Sequence, residues 1–193
     1  MSMENFFAGY ALRLQNILAA SDWSGVEQLA QAMLEAWQGG KQVFLCGNGG
    51  SAGNAIHLAN DFVYGVAMQT GAGIRALSLS ANSAVTTCLA NDLGYEYIYS
   101  EQLAVQGQPG DILIVLSGSG NSPNIVKVLE QARSMDIKTC AILGYKGGRC
   151  KELADVVIHF PVDDMQIAED LQLVVGHMLM QWLYQQRRDQ PVS

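Results

Sequence analysis

The residues best able to do chemistry in this chain lie close together. A Gly-rich turn, Cys46-Gly-Asn-Gly-Gly-Ser51, is followed within ten positions by His57 and Asp61. The apolar run Val43-Phe-Leu-Cys46 leads into it as a strand, and the residues after Ser51 continue as a helix. Such a turn exposes backbone N–H groups at a helix N-terminus, where the dipole also favours an anion. His57 and Asp61 are four residues apart, so they share one helix face just behind that anion site. The combination suits a phosphorylated small molecule held beside groups that transfer protons or bind a metal.

A second loop has the same character. Leu116-Ser-Gly-Ser-Gly-Asn-Ser-Pro-Asn124 places three hydroxyls, Ser117, Ser119 and Ser122, at the carboxyl end of an apolar strand. Doubly wound folds bind their ligands there. Ser122-Pro123 also reads as a helix N-cap followed by proline at the first helical position, which accounts for one serine but not three. Neither loop is a nucleotide motif. There is no Gly-Lys-Ser/Thr, and no GxGxxG followed about 20 residues on by an acid. Hydroxyl-rich turns without Lys or Arg point to a sugar monophosphate.

The elements that must position these loops follow from the apolar periodicity. Residues 4–38 read as helix with a break and new cap at Ser21-Asp-Trp-Ser24, ended by Gly39-Gly40. Strand-like runs recur at Gln42–Cys46, Ile74–Leu79, Ile112–Leu116, Thr139–Leu143 and Val156–Phe160. Helical segments fall near 52–66, 82–91, 96–107, 122–135 and 148–153, and a last helix spans about 163–187. Apolar strands alternating with helices predict an α/β fold, a doubly wound five-stranded parallel sheet flanked by helices. Nothing resembles a linker or repeat, so residues 1–193 are expected to form one domain: a helical segment over 1–38 and an α/β core over 39–193.

Composition excludes several function classes. Net charge is −7 and no basic stripe occurs, which argues against a nucleic-acid partner. No apolar run approaches the roughly 20 residues that span a bilayer, and the first residues lack a signal-peptide pattern. A cytoplasmic protein without membrane contact is therefore expected. Cys46, Cys88, Cys140 and Cys150 show no CxxC spacing and read as buried free thiols of a reducing compartment. Hydrophobic residues make up 49% of the chain against 15% charged, an excess that suggests surface buried between subunits. His159 reads as a structural strand residue, and Met165, Met178 and Met180 as packing residues of the last helix.

Cys46-Gly-Asn-Gly-Gly-Ser51 with His57, Ala90-Asn-Asp92, Ser117-Gly-Ser-Gly-Asn-Ser122 and a terminal helix carrying His177 occur in that order along nearly the whole chain. In this it resembles the sugar isomerase (SIS) domain family, and within it the sedoheptulose-7-phosphate (phosphoheptose) isomerases. The resemblance implies phosphate and sugar contacts at Asn48, Gly49, Gly50, Ser51, Ser117, Gly118, Ser119 and Ser122. It adds an Asn-Asp pair near the sugar at Asn91 and Asp92. It also implies a divalent metal, zinc in such relatives, held by His57, Asp61, Glu169 and His177, with Glu169 near the substrate as well. Asp61 then corresponds to the catalytic base and His177 to the acid of an aldose–ketose isomerase working through an enediol. Homotetramers with active sites between subunits complete the expectation.

Two positions depart from the family pattern: Asp61 stands where Glu is usual and Glu169 where Gln is. Asp is one methylene shorter, a reach of about 1.5 Å lost in chemistry sensitive to ~1 Å. That change motivates an alternative, a non-catalytic sugar-phosphate-binding SIS protein with a regulatory or scaffolding role. Glu169 and His177 are eight residues apart, about 80° beyond two helical turns, so they meet on one ion only if both lean inward.

Overall fold

The computed structural model describes residues 3–188, so the ends of the expected domain, residues 1–2 and 189–193, lie outside the described residues. Two N-terminal helices, α1 (Met3–Ala20) and α2 (Ser24–Gln38), precede β1 (Gln42–Gly47) and α3 (Gly50–Asn60). The Asp22 carboxylate supplies the break between α1 and α2, accepting from Ser24 N and Oγ at 2.9 Å each. After α3 come a π-helical turn (Asp61–Gly65), α4 (Ala67–Thr70), β2 (Arg75–Ser78), α5 (Ser83–Asp92) and α6 (Ser100–Gln106). The chain closes with β3 (Ile112–Ser117), α7 (Pro123–Ser134), β4 (Lys138–Leu143), α8 (Cys150–Leu153), β5 (Val156–His159) and α9 (Met165–Arg188).

The five strands form one parallel sheet in the order β2-β1-β3-β4-β5. Register Cys46↔Val115 and Gly47↔Leu116 brings the carboxyl ends of β1 and β3 level. The central strands β1 and β3 are almost wholly buried because both sheet faces are covered, as parallel sheets require, whereas the edge strand β2 starts at an exposed Arg75. Val43, Leu45, Ile112, Ile114 and Ile142 face one core with residues of α2, α3 and α9. The alternate residues Phe44, Cys46, Leu113, Val115 and Leu143 face a second core with α6 and α7. Burying one Leu or Ile contributes roughly 1.5–3 kcal/mol, so these two layers dominate the fold's stability.

Three expectations change. The helix expected over 52–66 is α3 followed by the π turn, and the one over 96–107 is a 3₁₀ turn (Tyr95–Tyr97) followed by α6. Cys88 is exposed rather than buried; Cys46, Cys140 and Cys150 are buried, and burial pushes each of those thiols up, Cys150 to about 11. Trp37, at the end of α2, donates from Nε1 to Gly73 O at 2.9 Å and packs partly buried against the first core. The structural reading of His159 fits its contacts: Nε2 lies 3.0 Å from Tyr145 O and Nδ1 3.2 Å from Lys151 Nζ.

Helix α1 has no buried residue. Tyr10, Leu14, Ile17 and Leu18 rest partly buried on the first core. Its polar anchors reach the region of α9: Tyr10 Oη donates to Asp170 Oδ2 at 2.5 Å, and Arg13 pairs with Asp164 at 3.3 Å.

Candidate active site

The strand order reverses between β1 and β3, and ligands of doubly wound sheets bind at such a switch point. Both Gly/Ser loops leave the sheet there. They enclose a cavity of 290 Å³ lined by Asn48, Gly49, Gly50 and Ser51 from the first loop and Ser117, Gly118, Ser119 and Ser122 from the second. All eight residues expected to touch phosphate or sugar through these loops thus line one pocket. Met165 and Glu169 of α9 close it, so Met165 is a pocket residue rather than packing alone.

The first loop is shaped by what glycine permits. Gly49, the N-cap of α3, has φ +56° and offers no capping side chain, leaving the first amides of the helix to a ligand. At Gly47 a Cβ would fall 2.6 Å from the Ser51 backbone, so only glycine lets the strand turn so tightly into the helix. Tyr99 Oη donates to Gly47 O from the far side. Ser51 Oγ accepts from Gln172 Nε2 at 3.0 Å, and Asn54 Nδ2 donates to Gln172 Oε1 and Glu169 O, both at 3.0 Å, tying α3 to α9. In the second loop, Ser117 Oγ accepts from Gly120 N at 3.0 Å and holds the turn. Ser122 is the N-cap of α7, yet its hydroxyl makes no capping bond, so the expected cap is backbone geometry and Pro123 alone. Its side chain serves the pocket.

The reactive groups lie toward the other end of α3. His57 Nε2 and His177 Nε2 are 3.0 Å apart, and Asp61 Oδ2 is 3.3 Å from the first and 3.4 Å from the second. The imidazoles meet edge to face at 84° with centroids 5.3 Å apart. Asp61 opens the π turn that continues α3, and such turns recur at functional sites because they redirect side chains. Gly65, within the same turn, leaves room for Met180 of α9, whose Sδ a Cβ there would approach to 2.9 Å.

Two imidazole nitrogens and a carboxylate oxygen directed at one point repel unless a proton or a cation stands among them. Donors 2.0–2.1 Å from a tetrahedral ion lie about 3.3 Å from one another, and the observed separations are 3.0, 3.3 and 3.4 Å. His57, Asp61 and His177 therefore fit a divalent ion. Among the described residues, Glu169 does not belong to this group, whose ligand atoms all lie within 4.8 Å of each other. It sits two turns earlier on α9, about 12 Å along the axis, and its carboxylate lies against Gly50 inside the Gly/Ser pocket. The four expected ligands are thus brought together as three. Asn91 and Asp92 end α5; Asn91 Nδ2 donates to Asp92 Oδ1 at 2.7 Å, and neither residue lines the pocket.

Sequence reasoning misses the amides and phenols behind the site: Asn54, Tyr95, Tyr99, Asn124 and Gln172. Gln172 carries a readable signal, an amide set between Leu171 and Leu173 at the start of the apolar run that continues through Val174 and Val175.

Residues 5–144 match the SIS domain family. The phosphoheptose isomerase of Akkermansia muciniphila is 38% identical over 165 residues, covering 85% of this chain and 87% of its own length. The chain belongs to the SIS-domain family, among its phosphoheptose isomerases. The phosphoheptose isomerase of Chlorobaculum parvum is 35% identical over 89% of this chain and 83% of its own. A solved phosphoheptose isomerase from Francisella tularensis superposes with a TM-score of 0.86 over 96% of this chain and all of its own, at 24% identity. It shares the SIS fold: the same parallel sheet covered by helices. The matched residues include both Gly/Ser loops, His57 and Asp61, while Glu169 and His177 on α9 lie beyond the match.

Proposed function

We infer that this chain is an aldose–ketose isomerase that converts sedoheptulose 7-phosphate into D-glycero-D-manno-heptose 7-phosphate, a precursor for surface glycans. One observation carries the reading: the His57/Asp61/His177 cluster, with its 3.0–3.4 Å contacts, stands on α3, the π turn that continues it, and α9, and the same α3 and α9 wall the Gly/Ser pocket. The acyclic ketose would place its phosphate against Gly49–Ser51 and Ser117–Ser122 and its carbonyl end near His57. Asp61 takes a proton from C1 while His177 gives one to O2, forming the enediol; Asp61 then returns its proton to C2 while His177 takes the O1 hydroxyl proton, leaving the aldose and both side chains as they began. His57, Asp61 and His177 would hold a divalent ion, zinc by the chemistry of the donors, which polarises the sugar oxygens when bound. Helix packing screens the Asp61 carboxylate from water more than its imidazole partners, its side chain being 15% exposed.

The non-catalytic alternative drew on the short reach of Asp61. Its oxygen lies 3.3–3.4 Å from both imidazoles, so reach does not keep it out of the cluster. Incubating the purified protein with sedoheptulose 7-phosphate should yield the aldose, and a chelator should suppress it. Absence of turnover in zinc-supplied protein that the sugar phosphate still stabilises against heat would sink the enzymatic reading.

Assembly belongs to the same proposal. Phe6 and Phe7 on α1 are 59% and 62% exposed, and an apolar groove of 660 Å³ lies between Trp23, Val26 and Ala30 of the α2 region and Met178, Leu179 and Trp182 of α9. A homotetramer with residues 1–38 as an oligomerisation segment would cover these surfaces and set active sites between subunits. Among the described residues no helix is long and apolar enough to cross a membrane, consistent with a cytoplasmic enzyme. Light scattering at micromolar concentration should give four times the 20.8 kDa chain mass; a monomer would refute the assembly.

A further inference from the structure

Asn124 is 1% exposed and directs its whole side chain at the pocket's first loop. It forms a reciprocal amide pair with Asn48: Asn48 Nδ2 donates to Asn124 Oδ1 at 2.9 Å, and Asn124 Nδ2 donates to Asn48 Oδ1 at 2.7 Å. Ile125 N, which can only donate, also reaches Asn124 Oδ1 at 3.1 Å, and Tyr95 Oη donates to Asn48 Oδ1 at 3.0 Å. The backbone donor settles which end of Asn124 is oxygen, and that in turn settles which end of Asn48 is nitrogen. The two amides belong to different loops: Asn48 follows β1, and Asn124 is the second residue of α7, behind the Ser117–Ser122 loop. The pair is the direct side-chain bridge across the switch point.

We propose that Asn124 is a positioning residue for substrate binding: it sets the spacing of the two anion loops and orients the Asn48 amide. Asn48 Nδ2 carries two hydrogens and Asn124 takes one, so the other remains for an oxygen of the bound phosphate or sugar. A buried amide pair is worth more than two exposed hydrogen bonds, because breaking it strands polar groups away from water. The proposal rests on the reading of this pocket as the sugar-phosphate site.

The test compares wild type, Asn124→Asp and Tyr95→Phe by steady-state kinetics with sedoheptulose 7-phosphate and by thermal melts with and without inorganic phosphate. Asn124→Asp keeps shape and the bond from Ile125 N but turns a second acceptor oxygen toward Asn48 Oδ1; flipping the Asn48 amide would only move the oxygen–oxygen contact to the other side, so the amide must swing away. KM should rise ten-fold or more with kcat within about three-fold of wild type, and the phosphate-induced rise in Tm should shrink. Tyr95→Phe, at an exposed position, removes the third bond and should raise KM two- to five-fold with Tm unchanged. KM unchanged in a folded Asn124→Asp, or a fall in kcat and Tm with KM constant, overturns the proposal. Should Asn124→Asp fail to fold, an unchanged KM in Tyr95→Phe overturns it. Failure of the pocket reading looks different: wild type itself gains no stability from inorganic phosphate or sugar phosphate.

Discussion

The carboxylate of Glu169 fills the space that a side chain on Gly50 would need. A Cβ at residue 50 would stand 2.3 Å from Glu169 Oε2 and 2.5 Å from Oε1. The glycine thus admits an acid from α9 into a pocket whose other polar groups are amides and hydroxyls. Because the obstructing atoms end a flexible side chain, Gly50→Ala should fold, pushing Glu169 aside and changing KM for the sugar phosphate. In a double-mutant cycle with Glu169→Ala, the two changes should be non-additive by about 0.5–3 kcal/mol, read from urea melts of the four proteins.

Metal retention should separate the trio from Glu169. His57→Gln, Asp61→Asn and His177→Gln each remove one of three convergent donors and should lose bound zinc and at least about 100-fold in turnover while folding normally. Glu169→Gln should keep its metal, since its carboxylate is not in the cluster. Elemental analysis after dialysis, alongside the turnover assay, checks both statements. Equal metal loss in Glu169→Gln would restore a four-ligand site.

Gly176 is where α9 passes over α3. A Cβ there would lie 2.1 Å from Leu58 Cδ2 and 2.6 Å from Cδ1. Leu58 is buried, so Gly176→Ala should cost about 1–3 kcal/mol of stability through overpacking. For a chain of this size that lowers Tm by about 2–12 °C. Residue 176 precedes His177, so turnover should fall with it, and calorimetry and kinetics together test the coupling.

Alkaline pH should loosen α1. The hydrogen bond to Asp170 raises the Tyr10 phenol from 10.0 to about 12, with burial and the charges of Asp170 and Asp164 adding to it. A folded pKa above the unfolded one favours the protonated phenol in the folded protein. The stabilisation is therefore complete below pH 10 and lost as pH rises toward about 12. The difference in unfolding free energy between wild type and Tyr10→Phe should stay flat up to pH 10 and then decline. A flat difference up to pH 12 would contradict it.

Much of this architecture is legible in the residues. Apolar runs such as Ile112–Leu116 can only be central strands, and the loops after β1 and β3 advertise themselves through glycine and serine. His57 and Asp61 at i, i+4 announce a shared face. Less legible is anything that depends on meeting across the fold. The π turn at Asp61–Gly65 leaves the periodicity almost unchanged, so 52–66 reads as one helix. The Asn48–Asn124 pair joins residues 76 apart whose types suit any loop. Glu169 shows the limit of carrying a role across by position: the resemblance implies a metal ligand there, whereas its carboxylate lies beside Gly50, outside the group formed by His57, Asp61 and His177.

Helix α3 spans both halves of the site. Gly50 starts it at the anion pocket and His57 follows seven residues later, about 10 Å along the axis. One rigid rod thus fixes the distance between the phosphate grip and the reacting end. It acts as a ruler: a sugar phosphate too short to span it could be held by its phosphate yet leave its carbonyl out of reach of Asp61 and His177. Chain length would then be selected at the chemical step, with short sugars appearing as inhibitors rather than substrates.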